Sequence, residues 1–133
     1  MNIFVTGGCG YKGSVLIPKL LKADHKVISF DTNWFGDYLQ NSNALTKLKG
    51  DIRDLGNLSL KSIDTIIHLA NIANDPAVEL NPTMSWEINV LAGNQLIERA
   101  IKEAYEQGIL GENIPVSYTH LRAHETREDR VSR

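Results

Sequence analysis

Short apolar runs alternate with amphipathic ones along the first hundred residues. Asn2-Ile-Phe-Val-Thr6 is apolar and rich in β-formers, which predicts a buried strand. Residues 14–24 set Val15, Leu16, Ile17, Leu20 and Leu21 at helical spacing, which predicts a helix. Pro18 lies inside it and lacks the N–H that would bond back to Ser14, a loss partly tolerated near a helix start. Lys26-Val-Ile-Ser-Phe30 predicts a second strand that ends at Asp31, completing a βαβ unit.

Residues 32–43 are polar and read as a loop with room for a short helix. A third, edge-like strand is expected at 45–49, a helical turn at 55–60 and a fourth strand at 63–69. Residues 71–81 read as a loop, punctuated by Pro76 and followed by Pro82. Residues 83–107 predict one long helix. Its expected buried stripe is Trp86, Val90, Gly93, Ile97, Ala100 and Ala104. Gly93 there costs about 1 kcal/mol against Ala, and a close backbone approach to the sheet would offset it. Strands alternating with helices imply an α/β fold with a parallel sheet.

Composition narrows the function classes. The chain has 133 residues and a net charge of −2. No basic excess drives phosphate-backbone binding, so no nucleic-acid partner is expected. No apolar run approaches the ~20 residues of a membrane-spanning helix. The single cysteine, Cys9, excludes an intrachain disulfide and a Cys-rich metal site. No basic segment precedes the first apolar run, so no signal peptide is visible and a cytoplasmic location is the expectation.

The candidate chemistry sits between the first strand and the first helix. Gly8-x-Gly10-x-x-Gly13 overlaps Gly7-x-x-Gly10-x-x-Gly13. Glycines there permit a tight turn, a close approach of pyrophosphate to backbone, and close helix–strand packing. The helix amino terminus then offers free N–H groups to phosphates. Asp31 lies 18 residues past Gly13, near the ~20 expected for an acid that binds the adenosine ribose. A carboxylate would repel a 2′-phosphate, so NAD is favoured over NADP. Cys9 reads as a small residue filling a turn, and His68 as a satisfied core histidine. Asp75, Glu79 and Glu87 are too scattered for a metal site.

The fuller pattern resembles the NAD-dependent epimerase/dehydratase family, the extended short-chain dehydrogenases/reductases acting on nucleotide sugars. Four segments carry the resemblance, in order: 6–13, Gly50-Asp-Ile-Arg-Asp54, Ile66-Ile-His-Leu-Ala70, and Glu87-Ile-Asn-Val-Leu-Ala92. It implies a Rossmann-like doubly wound parallel sheet, truncated after about four strands. Cofactor contacts are implied for Gly7, Gly10, Tyr11, Lys12 and Gly13 in the loop. Asp31, Thr32 and Asn33 follow at the second strand end, and Asp51 and Ile52 beside adenine. Leu69, Ala70 and Asn71 are implied after the fourth strand, and Asn89 in the long helix. Lys12, Asn71, Ala92 and Gly93 depart from the residues usual at those positions.

The resemblance also implies a nucleotide-sugar substrate. A tyrosinate would deprotonate a sugar hydroxyl while NAD takes hydride from the same carbon, and the keto-sugar is re-reduced or dehydrated. The family places a Ser/Thr and a Tyr-x-x-x-Lys pair further on. None of Tyr11, Tyr38, Tyr105 and Tyr118 has Lys four residues later, so this chain is expected to be catalytically inactive. The alternative is a non-catalytic dinucleotide-sensing regulator of the same fold. A homodimer is an open expectation for the full-length protein.

The last 18 residues differ from the rest. All lysines and asparagines precede residue 116, while Arg122, Arg127, Arg130 and Arg133 follow it. Val116-Ser-Tyr-Thr-His-Leu-Arg-Ala-His-Glu-Thr126 resembles one translated frame of a transposase-type sequencing adapter. The expectation is an incomplete NAD-binding domain at 1–115 and a non-native tail at 116–133. Any strand formed by residues 113–118 would pair opportunistically.

Overall fold

A computed structural model describes residues 1–56, 58–72 and 80–108, and the backbone of 116–117. The parallel sheet has the order β3-β2-β1-β4-β5. Its strands are β1 (Asn2–Thr6), β2 (Lys26–Asp31), β3 (Leu45–Lys49), β4 (Thr65–His68) and β5 (Val116–Ser117). β1 is central, with Thr6 opposite Phe30 on one side and His68 on the other. Four of its five residues are buried, as expected for a parallel strand covered on both faces. β3 is largely exposed and carries Lys47 and Lys49, charges that blunt an edge.

Alternate residues of β1 feed two cores. Ile3 and Val5 meet Val27, Ile17 and Leu39 on one face. Phe4 meets Phe30, Ile66, Ile88 and Leu96 on the other. Helix α1 (Tyr11–Lys22) supplies Ile17 to the first core. It accommodates Pro18, which is exposed, and ends before Asp24, whose φ of 64° stops the helix. Helices thus cover both faces, and the doubly wound reading holds.

The long helix differs from its expected form. α2 (Pro82–Trp86) leads into a π-helical turn at Glu87–Leu91, and α3 (Ala92–Glu106) continues from it. The wider π turn shifts the face presented on its amino-terminal side. Trp86 is therefore 54% exposed, while Ser85, Ile88, Ala92, Leu96 and Ala100 face the sheet. Of the expected stripe, Gly93, Ala100 and Ala104 are buried. Asn81 caps α2 by accepting the Met84 N–H at 3.1 Å.

The described part of 55–60 contains turns and no helix, and 32–43 contains a turn at Trp34-Phe35 rather than a short helix. Buried Leu60 and Ile63, in the segment that leads into β4, pack into the larger core. β5 extends the sheet beyond four strands, with Val116 opposite Ile66 and Ser117 opposite Ile67. Parallel pairing uses main-chain groups, so the open β4 edge accepts a strand with little regard to its side chains.

Candidate functional site

The loop joining β1 to α1 is built from glycine because backbone fills the space where side chains would stand. Gly7 adopts φ of 69°, and its N–H donates to the Phe30 carbonyl at 2.8 Å. A Cβ on Gly7 would lie 2.7 Å from the Ala70 nitrogen, against the end of β4. A Cβ on Gly13 would lie 2.5 Å from the Gly7 oxygen and 2.6 Å from the Gly8 Cα. Gly8 sits directly on the Ser29 side chain. The Gly10 N–H donates to the Gly7 oxygen at 3.1 Å, tightening the turn into α1.

Gly10 is the α1 N-cap and has no side chain to satisfy the first-turn N–H groups. No acidic residue occupies that turn. Tyr11 and Lys12 are exposed on it, and Lys12 adds a positive charge to the positive end of the helix dipole.

Asp31 closes the loop from the β2 side. Its Oδ2 accepts the Cys9 N–H at 3.0 Å and its Oδ1 accepts the Asn33 N–H at 2.8 Å. Asn33 turns the chain away with φ of 62°, a value Asn tolerates better than most residues. An ionised carboxylate has about four acceptor sites, so Asp31 keeps capacity for ribose hydroxyls. Thr32 lies half-buried between these two residues. Burial, then the charges of Asp31 and Asp37, push the Cys9 thiol up to about 11. A thiol so raised is not an activated nucleophile, in keeping with the turn-filling reading.

The β4 side is organised by Thr6, which the sequence reading did not single out as a site residue. Its Oγ1 accepts the Leu69 and Ala70 N–H groups at 3.1 and 3.2 Å. It lies 2.6 Å from His68 Nδ1. The two share a buried hydrogen bond whose direction the histidine tautomer sets. His68 is fully buried. A Cβ on Gly93 would lie 3.4 Å from His68 Nε2, so the helix does approach the sheet closely at Gly93.

Asn89 sits in the π turn and spans to the segment after β4. Its Oδ1 accepts the Ile72 N–H at 2.8 Å, and its Nδ2 donates to the Ile72 oxygen at 2.9 Å. Its amide thus grips backbone, and Asn71 lies half-buried beside that grip. Gly7, Asp31, Asn33, Leu69 and Ala70 lie together at the carboxyl ends of β1, β2 and β4, while Asn89 acts there through Ile72. Ile52 has its side chain in the core. Asp51 is bound by Arg53, whose Nη2 lies 2.6 Å from Oδ2, and Arg53 Nη1 reaches Glu87 at 3.1 Å. That hydrogen bond from Arg53 holds the Asp51 carboxyl below its ordinary value. Arg53 was overlooked, although the Asp-x-Arg spacing of 51–53 allows such a pair. Asp75 and Glu79 lie outside the described residues. No group of three or more His, Cys, Asp or Glu suited to a metal ion occurs among the described residues, and no described helix is long and apolar enough to cross a membrane.

Sheet order and glycine loop together define the class, a Rossmann-like α/β domain. The model of the NAD dependent epimerase/dehydratase family matches residues 3–109, and the chain belongs to that family. An uncharacterized membrane protein of Methanocaldococcus jannaschii is 32% identical over 115 residues, covering 81% of this chain and 34% of its own length. UDP-glucose 4-epimerase of Halalkalibacterium halodurans is 35% identical over 113 residues, covering 77% of this chain and 31% of its own. The crystal structure of DesIV, a dTDP-glucose 4,6-dehydratase from Streptomyces venezuelae with NAD bound, superposes with a TM-score of 0.71. It is 25% identical, over 78% of this chain and 37% of that one. The chain spans about a third of the length of these relatives.

Proposed function

We propose that this chain is the NAD-binding part of a nucleotide-sugar epimerase or dehydratase. The carrying observation is Asp31, held against the glycine loop by the Cys9 N–H at 3.0 Å. That contact sets a ribose-binding acceptor beside an anion-binding helix terminus. The fit to a dinucleotide is good: a tight glycine turn open at Gly10, uncapped N–H groups, Lys12 for phosphate, and spare acceptor sites on Asp31. Bound NAD would supply an acceptor and donor of hydride. The chain's own groups bind and orient it. Gly7 and Gly13 close the turn against Ala70 and Gly8, Gly10 leaves backbone open to phosphate, Tyr11 and Lys12 flank that approach, and Asp31 with Thr32 and Asn33 faces the ribose. Asp51 and the backbone of Ile52, whose side chain lies in the core, form the adenine side. Leu69, Ala70 and Asn71, fixed by Thr6 and by Asn89, line the opposite side.

The substrate of the full-length protein is proposed to be a nucleotide sugar, the full-length form a homodimer, and its location the cytoplasm. By itself the 133-residue chain binds without turnover, because no Tyr in it precedes a Lys by four residues. Residues 116–133 are proposed to be a non-native tail. Resequencing the source locus with a different library chemistry tests that, and finding the same tail there would sink it.

Calorimetry with NAD tests the cofactor reading. The chain is expected to bind NAD more tightly than NADP. Asp31→Ala is expected to weaken NAD about tenfold or more, the loss of hydrogen bonds to a charged acceptor. Equal affinities for the two proteins would remove Asp31 from the site.

A further inference from the structure

The segment that follows Asp31 is pinned at a second point, by a residue that the cofactor reading does not use. Asp37 Oδ1 accepts the Leu39 N–H at 3.0 Å and receives the Cys9 thiol at 3.7 Å. Its Oδ2 pairs with Lys47 Nζ on β3 at 3.1 Å. Lys47 also donates to the Leu39 oxygen at 2.6 Å. One carboxylate therefore joins three segments: the glycine loop, its own loop and the edge strand. Leu39 is buried in the α1-side core, and Cys9 packs against that core.

Cys9 is consequently held by two carboxylates, Asp31 at its amide and Asp37 at its thiol. Between those pins the chain makes a tight turn. Asn33 and Gly36 have φ of 62° and 88°, and the Gly36 N–H donates to the Asn33 oxygen at 3.0 Å. Trp34 and Phe35 stand at its tip, 56% and 77% exposed. The turn starts two residues from Asp31, so anything that loosens it disturbs the ribose side.

We infer that Asp37 is a positioning residue for the adenosine half of the cofactor, locking the 33–39 turn and the glycine loop to each other and to β3. This rests on the proposal that the chain binds NAD. Asp37 acts through Cys9 and through the turn that Asn33 begins, not by contact with the cofactor.

The test compares the chain with Asp37→Asn, Lys47→Met and the double variant, using three readings. NAD affinity by calorimetry is expected to fall about fivefold in each single variant, the upper range for a half-exposed ion pair. The double variant is expected to be no weaker than the weaker single one, because both remove one linkage. Second, maleimide labelling of the sole cysteine against pH reports the thiol directly. The charged groups around it are Asp31, Asp37 and Lys47. Asp37→Asn should move that profile to lower pH, and a role that did not bring Asp37 to Cys9 would not move it. Third, Trp34 fluorescence anisotropy in a Trp86→Phe background should fall when the turn is released. Unchanged NAD affinity in Asp37→Asn with an unmoved labelling profile overturns the inference. Absence of NAD binding by the parent chain overturns the cofactor reading, and the labelling profile and anisotropy still decide whether the lock exists.

Discussion

The glycine loop and the Pro82–Glu106 helical segment both press on the β1–β4 side of the sheet, by opposite means. The loop comes close by having no side chains, so backbone meets backbone: a Gly7 Cβ would stand 2.7 Å from the Ala70 nitrogen, and a Gly13 Cβ 2.5 Å from the Gly7 oxygen. The helix comes close by one small residue, Gly93, and one polar side chain, Asn89. Closeness of the first kind leaves no room for adjustment, whereas closeness of the second kind can relax through a side chain. Gly13→Ala against Gly93→Ala breaks or upholds this difference most directly. Gly13→Ala is expected to cost about 3 kcal/mol, since both obstructing groups are backbone, and to weaken NAD binding at least tenfold. Gly93→Ala meets only the His68 ring at 3.4 Å, and a gain of about 1 kcal/mol in helix propensity opposes that crowding. Its expected net effect is within about 1 kcal/mol of zero. Thermal unfolding of the two variants checks both, and equal losses would end the comparison.

The second prediction concerns the polar grip. Asn89→Leu keeps the branching of the side chain but leaves the Ile72 N–H and carbonyl without their partners. The expected loss is about 2 kcal/mol, smaller than for Gly13→Ala because Ile72 is half-buried and water reaches part of it. Asn89→Asp separates the two halves of the grip. It keeps the acceptor for the Ile72 N–H and sets a carboxylate oxygen against the Ile72 carbonyl, so it should be no better than Leu. Urea unfolding at neutral pH measures both, and a stable Asp variant would show that the donor half contributes nothing.

The same contrast decides what was legible in the sequence. The β1–α1–β2 unit was readable because its signals are local: a period change, glycines at fixed offsets, and an acid 18 residues on. The long helix was readable as a helix, but its face was not. A π turn carries no period of its own, and carrying the 3.6-residue spacing back through Glu87–Leu91 put Trp86 on the buried side. Asn89 was singled out by resemblance, yet its grip on Ile72 depends on a pairing 17 residues apart. Thr6 and Asp37 went unmarked for a related reason. A threonine at a strand end and an aspartate in a polar loop are ordinary until folding sets the β4 end and Lys47 beside them.

The smallest expected effect lies between the two regions, where Arg53 reaches from Asp51 to Glu87 at the start of the π turn. Arg53's hydrogen bond holds the Asp51 carboxyl below its ordinary 3.8, against a smaller opposing push from burial. A carboxyl depressed in the folded state contributes stability that is complete above its unfolded value. That stability drains away as pH falls through the lower, folded value. The contribution is therefore full at neutral pH and starts to fail below about pH 4. These side chains are 30–40% exposed, so solvent screening limits the effect to about 1 kcal/mol or less. Arg53→Met should lower the melting temperature slightly at pH 7, by an amount that shrinks as pH falls below about 4, where the parent progressively loses the same interaction. The two melting curves plotted against pH should converge on the acid side. A constant gap from pH 2 to pH 7 would mean that Arg53 joins the loop to the helix through the packing of its methylene stem rather than through its charge.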